Sequence, residues 1–146
     1  MLKVAVIVLI VMLAYAGIYS LMTIIAPNLM MGSTFKAATG KALDSQDPDF
    51  KVLLGGQRLA GVFALTTVIS GFFVLFAGFR KAQKWAWWAF LVVAGIAWLW
   101  GLISSITIVD KMNMILYIIG TVIFLVGLLL PIKEFFVKGA EKTDSA

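Results

Sequence analysis

Four apolar stretches, roughly residues 4–26, 59–79, 85–109 and 114–132, run without a single charged residue inside them. Each approaches the ~20 residues that an α-helix needs to cross ~30 Å of hydrocarbon. A backbone in lipid must satisfy its own hydrogen bonds, so runs of this length imply membrane-spanning helices rather than core strands. The fold class that follows is all-α: a polytopic membrane protein with four transmembrane helices in an up-down-up-down bundle. Residues 27–56 would form an extracytoplasmic loop carrying a short surface helix, and residues 133–146 a cytoplasmic, interfacial tail.

Composition narrows the chemistry further. Hydrophobic residues make up 62% of the 146-residue chain and charged residues 13%, against about 45–50% and about 25% in soluble domains. Cysteine and histidine are both absent, which removes disulfides, thiol redox chemistry and the usual ligands of zinc, copper and b-type haem. No phosphate loop, nucleophile elbow or metal-ligand cluster occurs, so neither cofactor nor metal is expected and catalysis by the chain alone is not. The net charge of +5 comes from basic residues in short segments beside the apolar runs, which fits lipid headgroups and not nucleic acid.

The opening Met1-Leu2-Lys3, its apolar run and Ala14-Tyr15-Ala16 imitate a secretory signal. The run continues to Ala26 before Pro27, so an uncleaved spanning helix is the expectation. Alternating the ends of the spans between two sides places Lys3, Arg80, Lys81, Lys84, Lys133, Lys138 and Lys142 on one side. The other side receives Lys36, Lys41, Lys51, Arg58 and Lys111, which accounts for all 12 basic residues. Three of the first group crowd into one tight turn, so that side is assigned to the cytoplasm of a bacterial membrane, together with both termini. Arg80, Lys81, Lys84, Trp85, Trp87 and Trp88 then read as anchors at the headgroup boundary.

In the long connection, Pro27 should end the first helix. Met31, Phe35, Ala38 and Ala42 at helical spacing predict the short surface helix, and Asp44-Ser45-Gln46-Asp47-Pro48-Asp49 a turn. That turn holds three oxygen donors, but it lacks the glycine and terminal glutamate of a calcium loop and reads as solvated. Small residues would bring the helices close in lipid: Ala97, Gly101 and Ser105 recur every four residues on the third span as a packing seam.

Two groups of residues are candidates for binding. Arg58, at the outer entrance of the second span beside Gln57, would meet Asp110 leaving the third span, with Asn113 and Asn28 completing a polar rim; an anchoring role in headgroups or a structural ion pair accounts for the same residues. Tyr15 and Tyr19 share one face of the first span, and Trp98 lies near mid-membrane on the third, so the three could flank a planar or apolar ligand. Aromatic packing between helices is the simpler alternative.

The Gly55-Gly56-Gln57-Arg58-Leu59-Ala60-Gly61 entry, the Arg80-Lys81 turn and the tryptophan- and glycine-rich third span together resemble the DoxX-like group of small four-helix bacterial membrane proteins. That resemblance implies a four-helix membrane fold and an accessory role beside membrane complexes, some of them redox complexes. The leading functional expectation is therefore a non-catalytic accessory subunit or assembly factor, with membrane lipids and either other membrane subunits or further copies of the chain as partners. The alternative is a binding or transport protein for a small apolar molecule, lipid or quinone.

Overall fold

A computed structural model describes residues 1–46 and 48–137. Its elements are α1 (Leu2–Ile25), α2 (Pro27–Thr39), α3 (Phe50–Ala77), a 3-10 turn (Phe79–Lys81), α4 (Lys84–Ile108), α5 (Lys111–Leu129) and α6 (Ile132–Phe136), with no strand among the described residues. Four of these, α1, α3, α4 and α5, are long and apolar enough to cross a membrane. The chain is thus a multi-pass, helical membrane protein by length and composition.

The helix ends follow local chemistry. Pro27 cannot continue α1 and disfavours helical backbone at Ala26, which turns to φ −124°; it then serves as the first residue of α2, where its missing N–H costs nothing. Gly40 ends α2 in the left-handed region at φ +71°, donating its N–H to the Lys36 carbonyl. α4 stops where Val109 adopts φ +59°, an unfavourable conformation for a β-branched residue. Asp110 follows at once as the N-cap of α5, its side chain accepting from the Asn113 N–H.

α1 packs against both α3 and α5, and α5 packs against α4. Glycines serve as sockets at each of these seams. A side chain at Gly61 would meet Ile24, one at Gly71 would meet Leu13, one at Gly127 would meet Leu9, and side chains at Gly101 and Gly120 would collide with the rings of Tyr117 and Trp98. Such close approach gives lipid-embedded helices the dispersion contact that the hydrophobic effect does not supply. Between α1 and α3, and between α4 and α5, the paired numbers rise on one helix as they fall on the other, so the helices in those two seams run in opposite directions.

The seam between α3 and α4 differs. The two are joined by a tight turn in which Gly78 lies against Trp85 and Ala86, but beyond it they share much less contact than the other neighbours. Near that turn sits an aromatic cluster: Phe79 is buried, with the Phe90 ring 5.4 Å and the Phe135 ring 4.8 Å away.

Three expectations change here. α3 begins at Phe50, nine residues before the expected span, so the 27–56 segment is largely helical. Trp87 is not an exposed anchor: it is buried and donates its Nε1–H to the Leu128 carbonyl at 3.0 Å, one of the carbonyls that the last turn of α5 leaves without a helical partner. Trp85 and Trp88, three residues apart and so on one face, are exposed as expected. The tail does not simply lie flat, because Phe135 is buried in the aromatic cluster and Phe136 packs edge-on to Trp87. Asp47, Lys138 and Lys142 lie outside the described residues.

Candidate functional site

At the end of the bundle where α4 turns into α5, four side chains form a polar knot. Thr34 Oγ1 donates to Asp110 Oδ2 at 2.6 Å. Asn113 Nδ2 donates to the same oxygen at 2.7 Å and to Thr34 Oγ1 at 2.9 Å, while the Asn113 N–H donates to Asp110 Oδ1 at 3.2 Å. Tyr19 closes the set by donating its hydroxyl to Asn113 Oδ1 at 3.0 Å. The knot therefore ties α1, α2 and α5 together around a carboxylate that is only 3% exposed.

Burial alone would raise the carboxyl's proton affinity. The hydrogen bonds from Thr34 and Asn113, with backbone help from Met112, outweigh it and hold Asp110 below the ordinary carboxylate range. The start of α5 adds the favourable end of a helix dipole. Asp110 is thus an anion held by hydrogen bonds from Thr34, Asn113 and the backbone.

Arg58 and Gln57 do not join this knot. Arg58 is exposed on α3, and α1 lies between α3 and α5, packing against both. A residue near the start of α3 is accordingly kept from the N-terminus of α5. Asn28 is also exposed, on α2. Of the expected polar rim, the structure unites Asp110 and Asn113 and adds Thr34. Thr34 carried one signal in the sequence: it falls four residues after Met30, on the face of α2 that packs inward.

Beneath the knot runs a wall of rings. Tyr19 meets Tyr117 edge-on at 6.1 Å, Tyr117 meets Trp98 edge-on at 5.9 Å, and Trp98 stacks on Tyr15 at 6.2 Å with their planes 14° apart. The Tyr15 hydroxyl donates to the Leu116 carbonyl at 3.3 Å. The aromatic residues singled out in the sequence are therefore together, and Tyr117 is the member that sequence reasoning missed; its helical spacing from Asn113, four residues earlier, is the available clue.

The wall faces a cavity of about 160 Å³ in the loose seam between α3 and α4. An apolar cavity of about 150 Å³ is large enough to hold a benzene ring. Small side chains keep it open, among them Ala64, Ala89, Ala94 and Ala97. Ala97 and Ser70 line it and are exposed, so the cavity opens sideways through the helix pair. The expected seam Ala97, Gly101, Ser105 is therefore divided. Gly101 receives Tyr117 and Ser105 is buried, whereas Ala97 stands at the cavity mouth.

Most hydroxyls around the cavity are already committed. Ser20 donates to the Ala16 carbonyl and Thr67 to the Phe63 carbonyl, as serine and threonine commonly do within helices. Among the described residues there is no group of three His, Cys, Asp or Glu side chains arranged to hold a metal ion. No protein-family model, curated protein or solved structure matches the chain.

Proposed function

We propose that this protein holds a small apolar molecule, drawn sideways from the bilayer, in the cavity between α3 and α4. The observation that carries the reading is the contrast in packing: three seams are closed around glycine sockets, while the fourth is kept open by small side chains opposite a wall of tyrosine and tryptophan. Aromatic side chains favour planar or extended apolar partners through area and quadrupole contacts. A lateral mouth suits a molecule that arrives dissolved in hydrocarbon.

In this reading the four long helices cross the bilayer up-down-up-down, with both termini cytoplasmic and α2 on the extracytoplasmic surface. The basic turn Arg80, Lys81, Lys84 supports that orientation, all three being exposed, with the Arg80 guanidinium 5.9 Å from the Phe76 ring centre. Trp85 and Trp88 stand exposed beside it, where a headgroup boundary would be. The knot around Asp110 holds Tyr19 at the outer end of the wall.

An accessory subunit would present its apolar faces to a partner. The exposed leucines, isoleucines and valines on all four long helices are equally what lipid contact demands, so they do not favour a partner over the bilayer. The test is native mass spectrometry of protein extracted in mild detergent, with solvent extraction of whatever co-purifies. The expected result is a bound small molecule that is lost in Ala97→Phe, whose larger side chain fills the mouth while the protein still folds. Stoichiometric foreign subunits, with nothing bound in the cavity, would overturn the proposal in favour of the accessory role.

A further inference from the structure

The cavity between α3 and α4 is long and narrow. Its walls are stripes that run along the helices, the lining residues falling between positions 12 and 20 of α1, 64 and 74 of α3, and 89 and 98 of α4. At ~1.5 Å per residue each stripe is about 12–15 Å long. A space of about 160 Å³ drawn out over that length is one chain wide. Two alanines mark its ends. Ala89 stands five residues after Lys84, the start of α4, and Ala64 thirteen residues before Ala77, the end of α3. Because a tight turn joins the two helices, these alanines lie about 8 Å and about 20 Å from it along the bundle, at opposite ends of the slot. On the turn side Gly78, set against Trp85 and Ala86, closes the seam; at the far end stands Tyr19, held by Asn113.

Building on the proposed function, we infer that the slot selects a free, extended, unbranched hydrocarbon chain of about ten carbons over a fused ring system. A zigzag chain with C–C bonds of about 1.5 Å advances about 1.25 Å per carbon, so about ten carbons cover the ~12 Å between the levels of Ala89 and Ala64. Four hydroxyls of the walls ask nothing polar of it, since Tyr15, Tyr19, Ser20 and Thr67 are already bonded within the protein. Depth decides between a free chain and a lipid tail. Ala97, at the mouth, is the fourteenth of the 25 residues of α4, which places the mouth near the bilayer midplane. The tail of a glycerolipid uses up the ~15 Å of its own leaflet to reach that level. Only its tip would arrive there, whereas a chain without an anchored head can enter and lie lengthwise.

The test compares n-decane with decalin, which share a carbon count and differ in shape, at equal mole fraction in nanodiscs of deuterated lipid. Binding to the full chain is read from carbon-13 alanine methyl resonances, with Ala64, Ala89 and Ala97 assigned by their loss in single glycine substitutions. Decane should show Overhauser contacts to both Ala64 and Ala89 and bind about 10-fold tighter than decalin, whose girth forces the walls apart. Hexadecane should bind no tighter than decane. Ala64→Leu shortens the slot from its far end, so in that variant decane should lose its advantage over hexane while hexane still binds.

Decalin binding as tightly as decane, or decane contacts confined to Ala97 at the mouth, would overturn the selection of a chain and leave the cavity reading standing. An undiminished advantage of decane in folded Ala64→Leu would do the same. With protonated lipid, lipid-chain contacts at both Ala64 and Ala89 that decane does not displace would overturn the free chain in favour of a lipid tail. Binding of neither hydrocarbon would overturn both readings. Decane and decalin are compared on the unmodified protein, so an Ala64→Leu variant that fails to fold does not shield the inference.

Discussion

The seam between α4 and α5 and the seam between α3 and α4 share one helix and the same kinds of residue, yet one is closed and the other open. Along α5, Gly120 lets Trp98 lie against the backbone, while Gly101 of α4 accepts Tyr117 in return. Large rings and glycines are matched across the helices. On the other face of α4, Ala89 and Ala97 line the same space as Ala64 and Ser70 of α3, small residues on both helices, and a cavity remains. In lipid, where association depends on contact rather than on release of water, such a mismatch forgoes dispersion energy. Open space of this kind is what a binding site requires.

The comparison breaks most sharply at the closed seam. Gly120→Leu should place a side chain inside the Trp98 ring and destabilise the fold by about 3 kcal/mol, read as a lower unfolding midpoint in mixed micelles. Ala97→Phe, at the open seam, should change that midpoint little while removing the bound molecule. Equal losses at both positions would erase the distinction between the seams.

The knot around Asp110 sharpens the comparison from the side, because it fixes the outer end of the ring wall. Asp110→Ala removes both the cap of α5 and the acceptor for Thr34 and Asn113, at a cost of about 2 kcal/mol. The aspartate is depressed in the folded protein, so its contribution is full at neutral pH, above the ordinary unfolded value of 3.8. It fades as pH falls through the lower folded value. Unfolding midpoints measured between about pH 6 and pH 3 should therefore drop in the native protein, and drop less in Asp110→Asn. Tyr19→Phe removes one donor to Asn113 and should cost about 1 kcal/mol in the same assay.

The smallest effect is a gain. Val109 holds a left-handed backbone conformation between α4 and α5 with its side chain exposed, which costs an L-residue roughly 1–2 kcal/mol. Val109→Gly relieves that strain but adds freedom to the unfolded chain, leaving a net stabilisation of about 0.5 kcal/mol. A lower unfolding midpoint in Val109→Gly would show that the joint is held by its side chain and not strained by it.

The existence and type of the four long helices were legible in the sequence, because an uninterrupted apolar run has few other uses. The start of α3 was not: Gly55, Gly56, Gln57 and Arg58 look like a connection, although nothing in them forbids a helix that extends beyond the apolar zone. The inward position of Trp87 could be read from its spacing, since Trp87, Phe90, Ala94 and Trp98 form one helical stripe, all of it buried. Proximity to the basic turn suggested an anchor instead. That Arg58 would stay apart from Asp110 was beyond reach of the sequence, because which helices are neighbours is decided by the matching of rings to glycines across the whole bundle. Tyr15, Tyr19, Trp98, Asp110 and Asn113 were found as residue types, but for Thr34 the spacing from Met30 indicated only an inward face of α2, not that it would bond Asp110 and Asn113.

The most direct test of the open seam uses the absence of native cysteine, which allows single nitroxide labels to be attached at Ala97→Cys and, for comparison, at Ser105→Cys in the closed seam. In nanodiscs the label at 97 should be mobile, relaxed by dissolved oxygen and inaccessible to a water-soluble nickel chelate, while the label at 105 should be immobile and shielded from both. A label at 97 as immobile as that at 105, or one reached by the nickel chelate, would contradict a cavity open to the hydrocarbon.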